Sequence, residues 1–117
     1  MKEVWKMKLR KEELREVFEW ASKQKDKKNR SLLQRARDSL LTGSYWRYNT
    51  IVWRDGKTLK YECDCEWAKR RREACKHVIA YLILANEETL KNSKKWRKFF
   101  EEYYAKVEEV LKVFDRF

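Results

Sequence analysis

The chain has 117 residues, of which 42% are charged and 43% hydrophobic, with a formal net charge of +11. Apolar residues are too plentiful for a disordered polyelectrolyte. No apolar run approaches membrane-spanning length, since the longest, from Val78 to Ala85, reads as a short buried helix. A chain of this size makes a single domain, 1–117, that gains from a metal staple.

In chain order, residues 10–25 place Leu14, Val17, Phe18 and Ala21 on one helical stripe with charge elsewhere. The basic break Lys25-Asp26-Lys27-Lys28-Asn29-Arg30 separates it from a second helix. Ser31 and Gln34 have the spacing of a capping box, Leu33, Ala36 and Leu40 continue an apolar face, and Gly43 stops the helix. Tyr45–Cys63 reads as a β-hairpin with Asp55-Gly56 as its two-residue turn. That turn predicts Val52 opposite Leu59, Thr50 opposite Tyr61 and Tyr48 opposite Cys63, with Trp46 on the same core-facing side. The other face then carries Arg47, Asn49, Ile51 and Trp53 beside Thr58, Lys60 and Glu62. At the C-terminus, Trp96, Phe100, Tyr103, Val107, Val110, Phe114 and Phe117 alternate steps of four and three, the stripe of a long amphipathic helix. The expectation is that this helix, 94–117, covers the hairpin and first helix in a monomer. A dimer seam through it is the alternative, with Phe99 and Tyr104 as a second contact face.

Three cysteines and one histidine are all that the chain has, and all four lie between positions 63 and 77. They read Cys63-Asp64-Cys65, nine intervening residues, then Cys75-Lys76-His77. Three thiolates and an imidazole are the donor set of a tetrahedral Cys3His zinc site. In an extended strand residues i and i+2 share a face, so Cys63 and Cys65 can offer both sulfurs to one ion. Cys75 and His77 cannot both sit in regular helix, where two residues are about 200° apart. Cys75 is therefore expected at a helix cap and His77 in the first turn. That placement sets the helix N-terminus against a centre whose formal charge, a divalent ion with three thiolates, is −1.

Competing readings of these residues are weaker. Three cysteines without a signal peptide do not make a disulfide framework. A redox pair would be Cys-x-x-Cys. Catalytic zinc keeps a position open for water, and the His-x-Glu of a zinc deaminase is absent. Buried unliganded cysteines remain the plain alternative.

The string Cys63-x-Cys65 followed by Cys75-Lys76-His77-Val78-Ile79-Ala80 resembles the SWIM zinc finger family, whose pattern is Cys-x-Cys, a variable loop, and Cys-x-His. In that family the second pair typically reads Cys-Lys-His-Ile-Leu-Ala, and an aromatic follows the second cysteine, as Trp67 does here. Residues 31–62 also resemble the helix and hairpin that precede the first ligand pair, so the likeness covers 31–85. A family proline after the second cysteine is replaced by Glu66. The resemblance implies the zinc fold, with DNA binding and protein–protein contacts as the roles of such domains.

The positive charge is concentrated in 1–43, with 13 basic and 7 acidic residues, and in 44–77, with 9 and 5. A balance of this size favours phosphate-rich partners through counterion release. Lys69-Arg70-Arg71-Arg72 is an unbroken basic run inside the knuckle, and Lys76 lies between two ligands; phosphate contact is the expectation, and a solvated turn that balances the anionic centre is the alternative. Trp53 and Ile51 mingle with cations on the outer hairpin face, a mixture suited to stacking on bases; the alternative is that the long helices cover this face.

The expectation is thus a small α+β zinc-binding fold: two N-terminal helices, a hairpin, a zinc knuckle, a short buried helix and the long C-terminal helix. One structural zinc is held by Cys63, Cys65, Cys75 and His77. Nucleic acid, DNA first, would meet Arg47, Trp53, Arg54, Lys57, Lys60, Lys69, Arg70, Arg71, Arg72 and Lys76. The alternative is an adaptor that docks a protein through the aromatic helix or hairpin. No open metal site, Ser/His pair or phosphate-cradling loop points to an enzyme. Thiolate zinc and the absence of an N-terminal targeting pattern in Met1–Arg10 suit the reducing cytoplasm, away from membranes.

Overall fold

The computed structural model describes residues 7–71 and 73–115, with side chains undescribed at 71, 110, 111 and 113–115. The chain forms two compact units, Met1–Asn86 and Glu87–Phe117. The first contains α1 (Lys11–Lys23), α2 (Leu32–Thr42), the hairpin β1 (Thr50–Asp55) and β2 (Thr58–Cys63), α3 (Glu66–Arg71) and α4 (Lys76–Ala85). The second contains α5 (Glu87–Leu90) and α6 (Lys94–Asp115). The class is α+β, with one two-stranded antiparallel sheet among the described residues. No helix there is long and apolar enough to cross a membrane.

The first unit is built around α4. Its sequence carries no polar stripe, and Val78 through Ile83 are all buried. A helix apolar all round needs partners on every side; α2 and both strands pack on it, and α1 packs on α2. Asn86 caps its C-terminal end with every polar group used. The Asn86 amide donates to the Leu82 carbonyl at 2.8 Å and to the Met7 carbonyl at 3.1 Å. Its oxygen accepts the Leu9 amide at 2.7 Å, so the segment before α1 is tied to the end of α4.

Local signals set the helix ends. Ser31 Oγ accepts the Gln34 amide at 3.0 Å, and Gly43 adopts φ +79°, the left-handed conformation that closes α2. The buried face of α2 differs from the expected stripe by one residue: Leu32, at 1% exposure, sits inside with Ala36, Ser39 and Leu40, whereas Leu33 is half-buried.

The hairpin corrects the expected register. Asp55 pairs with Thr58, so Gly56-Lys57 are the loop residues, and Val52 faces Tyr61 while Thr50 faces Cys63. Gly56 at φ +63°, followed by a residue without positive φ, is the pattern of a type II′ turn, which takes glycine first. Asp-Gly as the central pair would have required both residues in the left-handed region. The shift is by two, so the side-chain faces survive: Thr50, Val52, Leu59, Tyr61 and Cys63 still share the inner side.

The strand also starts later than expected. Ser44–Arg47 is a 3-10 turn, because the left-handed Gly43 hands the chain into tight bonds from Trp46 to Gly43 and from Tyr48 to Tyr45. Tyr45 is buried by this turn, but Trp46, expected in the core, is 63% exposed.

In the second unit, Phe99, Phe100 and Tyr103 are buried and Trp96 and Val107 half-buried. Edge-to-face contacts join Phe99 to Trp96 at 5.5 Å and to Phe100 at 5.3 Å. The buried surface is thus broader than the expected stripe, since it includes Phe99, while Tyr104 is 44% exposed. Of the remaining stripe positions, the side chains of 110 and 114 and all of Phe117 lie outside the described residues.

Candidate metal centre and adjoining groove

The end of β2, the start of α3 and the cap of α4 bring four ligand atoms together. The sulfurs of Cys63, Cys65 and Cys75 and a ring nitrogen of His77 all lie within 4.8 Å of one another. His77 Nδ1 is 3.7 Å from the Cys63 sulfur and 3.6 Å from the Cys75 sulfur. A tetrahedral zinc with ordinary bond lengths gives about 3.6 Å between sulfur and nitrogen ligands. The residues fit the metal: the four can hold one ion, and their chemistry is that of a structural zinc.

Each ligand has a local reason for its place. Cys63 is the last residue of β2 and Cys65 immediately precedes α3. Asp64 between them is turned to Asn49, accepting its backbone amide at 3.0 Å and its side-chain amide at 3.3 Å. The Asp64 amide in turn donates to the Asn49 carbonyl at 3.3 Å, which extends the hairpin ladder past its last pair and leaves both cysteines toward the centre. Cys75 is the N-cap of α4, with its carbonyl accepting from Val78 and Ile79. His77 is the second residue of that helix.

Outer contacts orient the ligands. Thr50 Oγ1 donates to the Cys63 sulfur at 3.4 Å, and the Ala68 amide donates to the Cys65 sulfur at 3.4 Å. The Tyr48 ring lies 4.3 Å from the His77 ring, which gives this exposed tyrosine a place against the centre. Groups that touch the ligands in this way fix their geometry; the bonds from Thr50 and Ala68 left no trace in the sequence.

Burial sets the electrostatics. Cys65, Cys75 and His77 are buried, with Cys63 half-exposed. Burial pulls the His77 ring down to about 4, with Lys76 acting the same way and Asp64 opposing, so its imidazole is neutral and able to ligate at neutral pH. Burial pushes the Cys75 thiol far above its ordinary range, the Val78 amide opposes this, and the neighbouring Cys63 and Cys65 add to it. Crowded buried thiols resist ionisation unless a cation joins them, and a bound zinc reverses that balance.

Beside the centre, the outer face of the hairpin and α3 border an open groove of about 740 Å³. Of the residues expected to meet nucleic acid, Trp53, Lys60 and Lys69 line it, with Ile51, 45% exposed, beside them. Cys63 forms part of its wall, so the groove and the metal centre are continuous. Lys60 is paired with Asp55 at 3.3 Å, and Glu62 and Asp64 also line the groove. Arg54 lies elsewhere, with its guanidinium gripping the Glu13 carboxylate of α1 through two bonds of 2.8 and 3.0 Å. Arg47, Lys57 and Arg70 are exposed, with Arg70 3.8 Å from Glu66, and Lys76 is half-buried. The Arg71 side chain and Arg72 lie outside the described residues.

The fold and centre together define a small α+β protein with a Cys3His cluster that can hold one metal ion. Compared with known proteins, the chain matches no family model, no curated protein and no solved structure.

Proposed function

We propose that this chain is a structural-zinc domain of SWIM type that binds nucleic acid, DNA in the first place, along the groove beside its metal centre. The observation that carries the reading is the groove itself: Trp53 and Ile51 offer apolar surface, with Lys60 and Lys69 at its edges, on a chain of net charge +11. Stacking platforms combined with a positive field are how single strands are held without a sequence code. Acidic residues in the groove make the local charge nearly even, so phosphate attraction comes from the wider surface, α3 included, and the groove contributes stacking. Four protein ligands close the metal's shell, which suits a binding module rather than a catalyst. Zinc chemistry of this kind fits a reducing compartment such as the cytoplasm.

The test is a titration of the zinc-loaded protein against single-stranded and duplex DNA over a range of salt. Replacing Arg70, Arg71 and Arg72 with Ala should weaken binding evenly across sequences and flatten the salt slope. Trp53→Ala should weaken single-stranded binding more than duplex binding. Wild-type protein that shows no salt-dependent binding to any nucleic acid refutes the reading and leaves the protein-docking adaptor in its place.

A further inference from the structure

A second cleft lies across α3 from the groove. Two residues apart on a helix point about 200° away from each other. Lys69 accordingly lines the hairpin groove, while Trp67 lines a separate cleft of about 230 Å³ formed with the end of α1 and the loop between α1 and α2. Its other walls include Trp20, which is 38% exposed, together with Lys25, Lys27 and Arg35.

The loop that frames this cleft has a fixed shape. Asp26 Oδ1 accepts the backbone amides of Lys28 and Arg30 at 2.9 and 2.8 Å, and Oδ2 accepts Arg30 Nε at 3.0 Å. Asn29 completes the turn at φ +62°, and Lys25 and Ser31 close it as an isolated antiparallel bridge. The carboxylate of Asp26 is thereby occupied within the loop, while Lys25 and Lys27 stay exposed. Arg35 Nε is buried and makes no hydrogen bond; its ion-pair partner is Asp26 Oδ2, 3.8 Å away. At that length the pair leaves the buried donor without a hydrogen bond, which a closer acceptor would supply.

We propose that this cleft is a second nucleotide-binding subsite, in which Trp20 and Trp67 stack a base while Lys25, Lys27 and Arg35 hold the adjoining phosphate. It rests on the nucleic-acid reading of the groove and extends it: one single strand runs from Trp53 across α3 to Trp20. Lys69 and Arg70, both exposed on α3, lie on the crossing. Aromatic walls alone would equally suit a methylated ammonium, and Glu73 also borders the cleft. Arg35 pairs with Asp26 on these walls, so Lys25 and Lys27 against Glu73 leave a positive balance that favours an anionic ligand. Because α3 follows Cys65 directly, and the Lys69 amide donates to the Cys65 carbonyl at 3.3 Å, metal loading positions both subsites.

The experiment compares a deoxythymidine tract of about 12 nucleotides with one of about 3, on the zinc-loaded full chain, with zinc content and circular dichroism measured on each variant. Wild type should bind the long tract more tightly. Trp20→Ala should weaken the long tract about tenfold, the effect of one lost stacking partner, and leave the short tract unchanged. Trp20 also borders the apolar cleft beneath the hairpin, so the decisive variant is the exposed pair Lys25→Ala with Lys27→Ala. It should lose affinity for the long tract with a flatter salt slope.

Wild-type affinity of that double variant for the long tract overturns the second subsite and leaves the groove reading standing. So does a trimethyl-lysine peptide that binds at Trp20 without competing with DNA. Absence of binding to either tract by the wild type instead removes the nucleic-acid reading itself.

Discussion

The hairpin is pinned at both ends, by two devices of very different strength. At one end Cys63 closes β2 and enters a four-ligand metal centre whose other members come from the start of α3 and the cap of α4. At the other end Arg54 grips Glu13 of α1 across 2.8 and 3.0 Å, a partly exposed ion pair. Metal coordination in small zinc domains supplies on the order of 10 kcal/mol of folding energy. Ion pairs in contact with water contribute little. The metal end therefore decides whether the hairpin forms, and the ion-pair end adjusts how it lies on α1.

Opening the metal end should have the largest effect. A chelator, or Cys75→Ser, should unfold the hairpin and knuckle together, read as lost circular dichroism and a collapsed melting transition. A Cys75→Ser protein with the wild-type melting temperature would place the strength elsewhere.

Between the ends the hairpin rests on α4, where Ile79 is 1% exposed. Ile79→Ala should cost about 2–5 kcal/mol in denaturant unfolding of the metal-loaded protein, by transfer and cavity terms together. A loss as large as that of a metal-ligand variant would show that the core, not the ion, dominates.

The ion-pair end is tested by acid. The bonds from Arg54, then that of the Arg10 amide, hold the Glu13 carboxyl at about 2 against an ordinary 4.5. A depressed folded-state value means that this contribution is complete above pH 4.5 and disappears as pH falls toward 2. Acid also strips thiolate metal sites, so the measurement is a difference: the gap in melting temperature between wild type and Glu13→Gln should shrink across that window. A gap that stays constant would remove Glu13 from the account.

The smallest effect is expected at Arg70, whose pairing with Glu66 is 3.8 Å long and fully at the surface. Arg70→Ala should leave the melting temperature unchanged within error. A drop comparable to that of Glu13→Gln would mean that α3 is held by more than its attachment to Cys65.

What was legible in the sequence follows the range of the interactions involved. The ligands Cys63, Cys65, Cys75 and His77 could be read because residue type and spacing carry metal chemistry directly. The cap at Ser31, the stop at Gly43 and the two hairpin faces depend on neighbours a few residues away, and they too were readable. The hairpin register depended on which side of Gly56 the turn residues fell, a choice of similar local energies, and it came out two residues from the expectation. Trp46 lies in a 3-10 turn, where the alternation of a strand does not apply, so its exposure could not be read from the pattern. The Arg54–Glu13 grip spans 41 positions, and the Trp20 and Trp67 cleft joins segments with no shared pattern. Neither leaves a periodic trace, so only the packed chain reveals them.

The most direct measurement is the metal content of natively purified protein, by elemental analysis or native mass spectrometry. The account predicts one zinc per chain, lost together with the folded hairpin when Cys63, Cys65, Cys75 or His77 is replaced. A folded, metal-free chain with the same circular dichroism and melting temperature would contradict it.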